Sequence, residues 1–534
     1  MNQTLEYLRM FAQFPFALRR FLRHRPALPT AQAIVRGRMA HRTHNFLGLV
    51  ERSVYGVPCS PYLALLKHAG CELSDLRALV KNHGIEGALL ELRKAGVYVT
   101  YEEFKGRKPI VRQGLTLEVK PRDFDNPMAR HDFSLRTGGS TGLANEVYQD
   151  LDHIAALATI DMLVLAEHGV LEAATVHWTH MLPGSGLRFI LRRAYHGTYP
   201  QHWFSPGGWG GFGAWLKYDL ATLYMLFWMR ASGIKVSFPH IVEPQRAVIV
   251  ARWLRKALDA QGRCLLYANV SQAVRLCLAA QEQGFDLAGA AIRLSSEPLT
   301  PAKAEIMQRA GVQIVTSYGS VEAVAIGLGC GRRLHVDEVH LAMDAYALID
   351  YPYPVPGLGT TVPAFNLTGL LDSAPKVMLN YQSDDYGIVE TRACGCGLER
   401  YGYTTHLHDI RSYSKLVGEG VTLIGNELLR ILEEVLPARF GGTPLDYQIM
   451  EREDARGLTR LVLLVSPRID IQDNAAVIAV ILNELRKSSP MAASAQAVWQ
   501  QAETLRVERK EPVITVRSKL LPLHIERSSR TGES

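Results

Sequence analysis

Residues 264–316 read CLLYANVSQAVRLCLAAQEQGFDLAGAAIRLSSEPLTPAKAEIMQRAGVQIVT, and their alternation decides the fold class. Cys264 to Ala268 is a short apolar run ending at Asn269. Ser271 is expected to cap a helix through Gln283, with Ala273, Val274, Cys277 and Leu278 at helical spacing. Gly284 stops it, Ala290 to Leu294 reads as the next strand, and Pro301 opens a helix that ends at Gly311. Val312 to Thr316 is then a third strand. Strands separated by helices of this length argue for a parallel sheet with crossovers. Ligands of such sheets gather at the carboxyl ends of strands, so the loops after these strands are where chemistry is expected.

The rest of the chain fits a large folded protein. Of 534 residues, 47% are apolar and 21% charged, which excludes disorder, collagen-like repeats and a small disulfide-stapled scaffold. Lys plus Arg is 59 against 52 for Asp plus Glu, a net charge of +7 that suits an anionic ligand at one site better than a nucleic-acid track. Leu220 to Met229 is the most apolar run, ten residues against about 20 needed to span a bilayer. No transmembrane segment is expected, and Arg9 interrupts any signal-peptide h-region. Seven cysteines, a sparse and odd set, fit a reducing compartment and a cytoplasmic location.

Residues 5–25 carry five arginines among four phenylalanines and predict a basic amphipathic helix. Such a helix either lies on a membrane surface or docks on the core with its basic face solvated; the second is expected. Composition changes near residue 410. Beyond it, Asn426 begins a helix, Tyr447 to Met450 and Leu458 to Val465 flank a charged turn as a hairpin, and Asn474 to Lys487 is another helix. Val513 to Val516 reads as a last strand. Two domains are expected: a large α/β unit, residues 1–410, with stacked β-sheets and helices, and a small mobile α+β lid, 411–534.

Residues 136–145 read RTGGSTGLAN. Gly138, Gly139 and Gly142 let backbone N–H groups converge on phosphate oxygens, while Thr137, Ser140 and Thr141 add hydroxyl donors without bulk. The loop is neither a Walker motif nor a dinucleotide fingerprint. Four segments follow in order: Ser296-Glu297-Pro298-Leu299, Tyr318-Gly319-Ser320-Val321-Glu322, Tyr381-Gln382-Ser383-Asp384-Asp385, and Arg411 to Leu436.

This series resembles the adenylate-forming superfamily of acyl-CoA ligases, most closely its phenylacetate–CoA ligase branch, over roughly residues 40–530. The resemblance implies ATP-dependent activation of a carboxylic acid to an acyl-adenylate and transfer to coenzyme A. It implies that Thr137 to Gly142 hold the β- and γ-phosphates of ATP and that Glu297 belongs to the nucleotide site. Tyr318, with Gly319 and Ser320, would receive adenine, and Glu322 would ligate Mg²⁺, a hard ion that prefers carboxylate oxygen. Asp385 would accept the ribose hydroxyls, and Arg411 heads the hinge motif ahead of Gly420. Aligning on Leu521-Pro522 puts Arg527 where the family places its catalytic lysine, with Lys519 nearby as a substitute. Val321 and Tyr413 also depart from the pattern. An acyl carrier protein or a protein cysteine is the alternative acceptor, and a non-catalytic nucleotide-binding relative is the third reading. The aromatic stretch with His177, Trp178, Trp203, Phe204 and Trp209 favours an aryl or hydrophobic acid, and reads equally as core.

Cys330 and His335 are spaced C-x4-H, and Cys394 and Cys396 are spaced C-x-C ahead of Gly397. Three thiolates and one imidazole would complete a tetrahedral zinc shell of the structural type. The same arrangement resembles one in the phenylacetate–CoA ligase branch.

Overall fold

The computed structural model of the chain describes residues 3–136, 146–182, 184–207, 216–355, 361–413, 426–453, 459–488, 505–515 and 519–526. Its centre is a six-stranded sheet in the order Gln313–Val315, Ala290–Ser295, Cys264–Asn269, Ala174–Trp178, His202–Ser205, His240–Ile241. Every pairing in it is parallel, as the alternation over 264–316 predicts. Parallel strands carry helices on both faces and so read as continuous apolar runs. The strand Cys264–Asn269 shows why: Cys264, Leu266 and Ala268 pack into one core cluster while Leu265 and Tyr267 pack into another.

Helix boundaries follow local chemistry. Asn269, not Ser271, is the N-cap of Val270–Glu282: its side-chain oxygen accepts the Gln272 N–H at 2.9 Å, and the Gln272 side chain accepts the Asn269 N–H at 3.0 Å. Gly284, at φ 67°, takes the left-handed conformation that ends the helix region.

A second, eight-stranded sheet runs Ser317–Tyr318, Gly327–Leu328, Val339–Leu341, Thr405–Ser412, Tyr381–Thr391, Thr361–Gly369, Tyr346–Pro354, with Val99–Thr100 also on Tyr381–Thr391. The chain leaves the parallel sheet at Val315 and enters the second sheet at Ser317, so residues 316–324 lie at the junction of the two. A four-stranded sheet gathers Leu505–Arg509, Thr459–Val465, Tyr447–Glu453 and Leu523–Glu526. The expected hairpin is there, antiparallel between Tyr447–Glu453 and Thr459–Val465. Val516 of the strand expected from Val513 lies outside the described residues; among the described ones, Ile514 makes one isolated bridge to Leu520, and Leu523–Glu526 is the last strand.

The N-terminal helix Gln3–Arg23 buries Met10, Phe14, Ala17, Leu18 and Phe21, as expected for a docked helix. The apolar run Leu220 to Met229 lies within the 16-residue helix Leu216–Ala231. Among the described residues, no helix is long and apolar enough to cross a membrane.

Candidate active site

At the sheet junction, Ser320 N–H donates to the Ala323 carbonyl at 2.8 Å, and Ala323 N–H donates to the Ser320 hydroxyl at 2.9 Å. Gly319 is required ahead of this turn, because a Cβ there would run into the carbonyl of Val324. The turn drives Glu322 inward, where its carboxylate pairs with the buried ammonium of Lys105. Burial alone would raise the Glu322 pKa. The charge and hydrogen bond of Lys105, aided by the Ser320 hydroxyl, outweigh it and hold the carboxyl below its ordinary value. Lys105 follows the short helix Tyr101–Phe104, 217 positions away from Glu322. No local signal in the sequence marks it.

Tyr318 donates its hydroxyl to Asp385 at 2.8 Å, and its ring meets Phe365 edge-on at 6.3 Å. Asp385 opposes Ser412 in the ladder and Tyr386 opposes Arg411, so the Asp385 and Arg411 segments are neighbours. The Arg411 guanidinium rests on Asp337 at 3.1 Å. Tyr413 donates to the Ser383 carbonyl at 3.0 Å and accepts from Gln382 at 3.3 Å, which makes it a strut against Tyr381–Thr391. Glu297 is half-buried and accepts both the N–H and the hydroxyl of Ser271, at 2.7 and 2.6 Å. Its carboxyl is pushed up by burial, against the pull of Lys303, Ser271 and Lys519.

Thr137, Gly138, Gly139, Ser140, Thr141 and Gly142 lie outside the described residues, as do Trp209, Gly420 and Arg527. The strands on either side of the glycine-rich segment, Phe133–Arg136 and Glu146–Gln149, pair antiparallel.

Of the aromatic stretch that reads as either acid pocket or core, His177, Trp178, Trp203 and Phe204 are buried in the core. Trp178 donates its indole N–H to Val242 O at 3.0 Å and Trp203 to Thr179 O at 2.8 Å, both fully buried. His177 stacks on Tyr267 at 4.4 Å, and burial keeps it neutral, its pKa down to about 3. Strands buried on both faces need large apolar side chains, which accounts for the stretch.

The cysteine–histidine cluster forms with one substitution. Cys330, Cys394 and Cys396 converge on His340, not on His335, with all four ligand atoms within 4.8 Å of one another. His340 Nε2 lies 3.6 Å from Cys394 Sγ and 3.4 Å from Cys396 Sγ. Its Nδ1 is 2.7 Å from the Tyr403 carbonyl, which fixes the tautomer that turns Nε2 to the thiols. His340 sits inside the strand Val339–Leu341, whereas His335 is exposed in the preceding turn and stacks on His408 at 3.7 Å. Gly395, at φ 70°, reverses the chain so that both flanking thiols face the imidazole. Hydrogen bonds from Cys330, His340 and Cys394 draw the Cys396 thiol below its ordinary value, while Cys330 and Cys394 are pushed up.

No protein-family model matches the chain, and no curated protein matches it. Solved structures do. A crystal structure of 2-hydroxyisobutyryl-CoA ligase in the postadenylation state, in complex with 2-HIB-AMP, superposes with TM-score 0.52 at 14% identity, covering 94% of this chain and 90% of that one. The same ligase in complex with 2-HIB-AMP and CoA in the thioesterification state gives 0.45 at 15% identity, over 94% and 91%. Anthranilate CoA ligase AuaEII in complex with anthranoyl-AMP gives 0.43 at 14% identity, over 73% and 65%.

Proposed function

From the premise that this chain has the fold of an adenylate-forming CoA ligase, we propose that it activates a carboxylic acid with ATP as an acyl-adenylate and transfers the acyl group to coenzyme A. The observation that carries this reading is the meeting of Tyr318 and Asp385, from two motifs far apart in the chain, beside the turn that carries the buried, ionised Glu322. A carboxylate oxygen of the acid attacks the α-phosphorus and pyrophosphate leaves. The thiolate of coenzyme A then attacks the acyl carbon and AMP leaves. Tyr318 and Asp385 would bind adenine and ribose, and Arg411 would steady the ribose strand. Glu322 is a hard anionic ligand suited to Mg²⁺, which when bound neutralises phosphate charge. Lys105 keeps that carboxylate ionised until the nucleotide complex arrives. The residues at 137–142 would cradle the phosphates, and Lys519 or Arg527 would meet the reacting carboxylate.

The same reading assigns residues 1–410 to the nucleotide-binding unit and 411–534 to the lid, places the chain nearest the phenylacetate–CoA ligase branch, and makes Cys330, His340, Cys394 and Cys396 a closed structural zinc site. Three thiolates and one oriented imidazole are the donor set such a site requires. Calorimetric titration with Mg·ATP tests the nucleotide reading: Glu322→Gln is expected to weaken binding about tenfold or more. Absence of nucleotide binding to the native chain overturns it. Pyrophosphate exchange across a panel of acids then identifies the substrate.

A further inference from the structure

His335, displaced from the thiol cluster, belongs to a second group. Its ligand nitrogen, a nitrogen of His408 and a carboxylate oxygen of Glu390 all lie within 4.8 Å of one another. His408 is buried on Thr405–Ser412, Glu390 is half-buried on the adjacent Tyr381–Thr391, and His335 is exposed. The two imidazoles lie face to face, 3.7 Å apart and 1° from parallel.

Three features make this a prepared chelate and not only a stacked pair. His408 Nδ1 lies 3.0 Å from Asp409 Oδ2, a contact that holds the ring with its Nε2 4.0 Å from Glu390 Oε1. Asp409 is itself set in place: it adopts φ 52°, and its N–H donates to Asp337 at 3.1 Å. Arg392 Nε bonds Glu390 Oε1 at 2.8 Å and fixes that carboxylate too. Donors on one tetrahedral ion stand about 3.4 Å apart, given bonds of about 2.0–2.1 Å. The in-plane lone pairs of two parallel rings do not meet on one ion, so binding turns His335 out of the stack, which its exposure allows. His335 is itself exposed and borders a cleft of about 350 Å³, so the group is open to solvent on that side.

We propose that His335, Glu390 and His408 bind a divalent transition ion of the zinc, cobalt or nickel class, with water completing the shell. Two nitrogens and one oxygen suit these ions and leave a position open, unlike the closed thiolate site. The ion ties the turn of residues 335–338 to the strand that carries Arg411, whose partner Asp337 lies in that turn.

Cobalt distinguishes the two sites. The full-length chain is stripped with a chelator, loaded with Co²⁺ and counted by mass spectrometry, with absorbance recorded for sulfur-to-cobalt charge transfer. His335→Ala is expected to remove one ion per chain, or weaken its binding tenfold or more, while the charge-transfer band stays. The variant Cys394→Ser/Cys396→Ser is expected to lose that band and keep the ion that depends on His335. An unchanged count and affinity in His335→Ala overturns the proposal, and that comparison stands even if the cysteine variant does not fold.

Discussion

Lys105 and Glu322 form an ion pair in which both partners are more than nine-tenths buried. Removing one partner of such a pair leaves an uncompensated charge, so Lys105→Met should lower stability by about 3–5 kcal/mol at neutral pH. Lys105→Met/Glu322→Gln should recover most of it in urea unfolding. The pH dependence has a definite sign. In the native chain the Glu322 pKa is depressed, so its contribution is present above the unfolded value of about 4.3 and lost as pH falls through the lower folded value. In Lys105→Met burial dominates and raises that pKa, so the variant pays most at neutral pH. Its deficit should therefore shrink toward pH 4, and a deficit that grows there would contradict the account. His340 allows a second test. Metal analysis of the native chain should find about one thiolate-bound zinc, lost in His340→Ala and in Cys394→Ser/Cys396→Ser but retained in His335→Ala.

At the scale of elements, the turn of residues 319–323 decides where Glu322 points. It is held by two hydrogen bonds and by the absence of a side chain at Gly319. Because the obstruction is backbone carbonyl and not the end of a flexible chain, Gly319→Ala must open the turn. The expected cost is about 1–3 kcal/mol, and the Mg·ATP affinity should fall with it. Thermal unfolding and calorimetry measure the two losses together. A variant with native stability and native affinity would show that the turn has slack. The strand Thr405–Ser412 makes the complementary point. It pairs with Val339–Leu341 on one side and Tyr381–Thr391 on the other, so it links the thiol cluster, the histidine–glutamate group and Arg411 in one rigid ladder.

At the scale of the molecule, the C-terminal sheet is joined to the parallel sheet by buried chemistry. Lys303, on Pro301–Arg309, bonds Glu433 at 2.6 Å, and the Thr300 hydroxyl reaches the same carboxylate. Leu445 and Leu520 pack into the core cluster of the parallel sheet. Lys303→Met should strand Glu433 in that interface and loosen the C-terminal sheet from the parallel sheet. Limited proteolysis reads this directly. Since Thr405–Ser412 is protected by pairing on both sides, cleavage is expected beyond Tyr413, and faster in Lys303→Met than in the native chain. Equal rates would mean that the pair does not hold the two sheets together.

The sequence by itself determined what depends on neighbours along the chain. Apolar runs bounded by caps and glycines placed the strands and helices of residues 264–316, and because helices separate the strands, the parallel sheet followed. The order of short motifs marked Tyr318, Glu322, Asp385 and Arg411, and the C-x-C pair marked two of the thiols. Tertiary structure alone decided which charge meets which. Lys105 finds Glu322 across 217 positions, and nothing local to either announces it. Cys330 turns to His340 and not to the sequence-closer His335, because a strand carries His340 inward and the preceding turn leaves His335 outside. The aromatic residues of Ala174–Trp178 and His202–Ser205 went to the core for a related reason: a parallel strand is covered on both faces, and its composition reports that burial rather than a ligand. Periodicity records which face of an element is apolar. It does not record what lies across from that face, and ionic and thiol–imidazole partnerships are settled there.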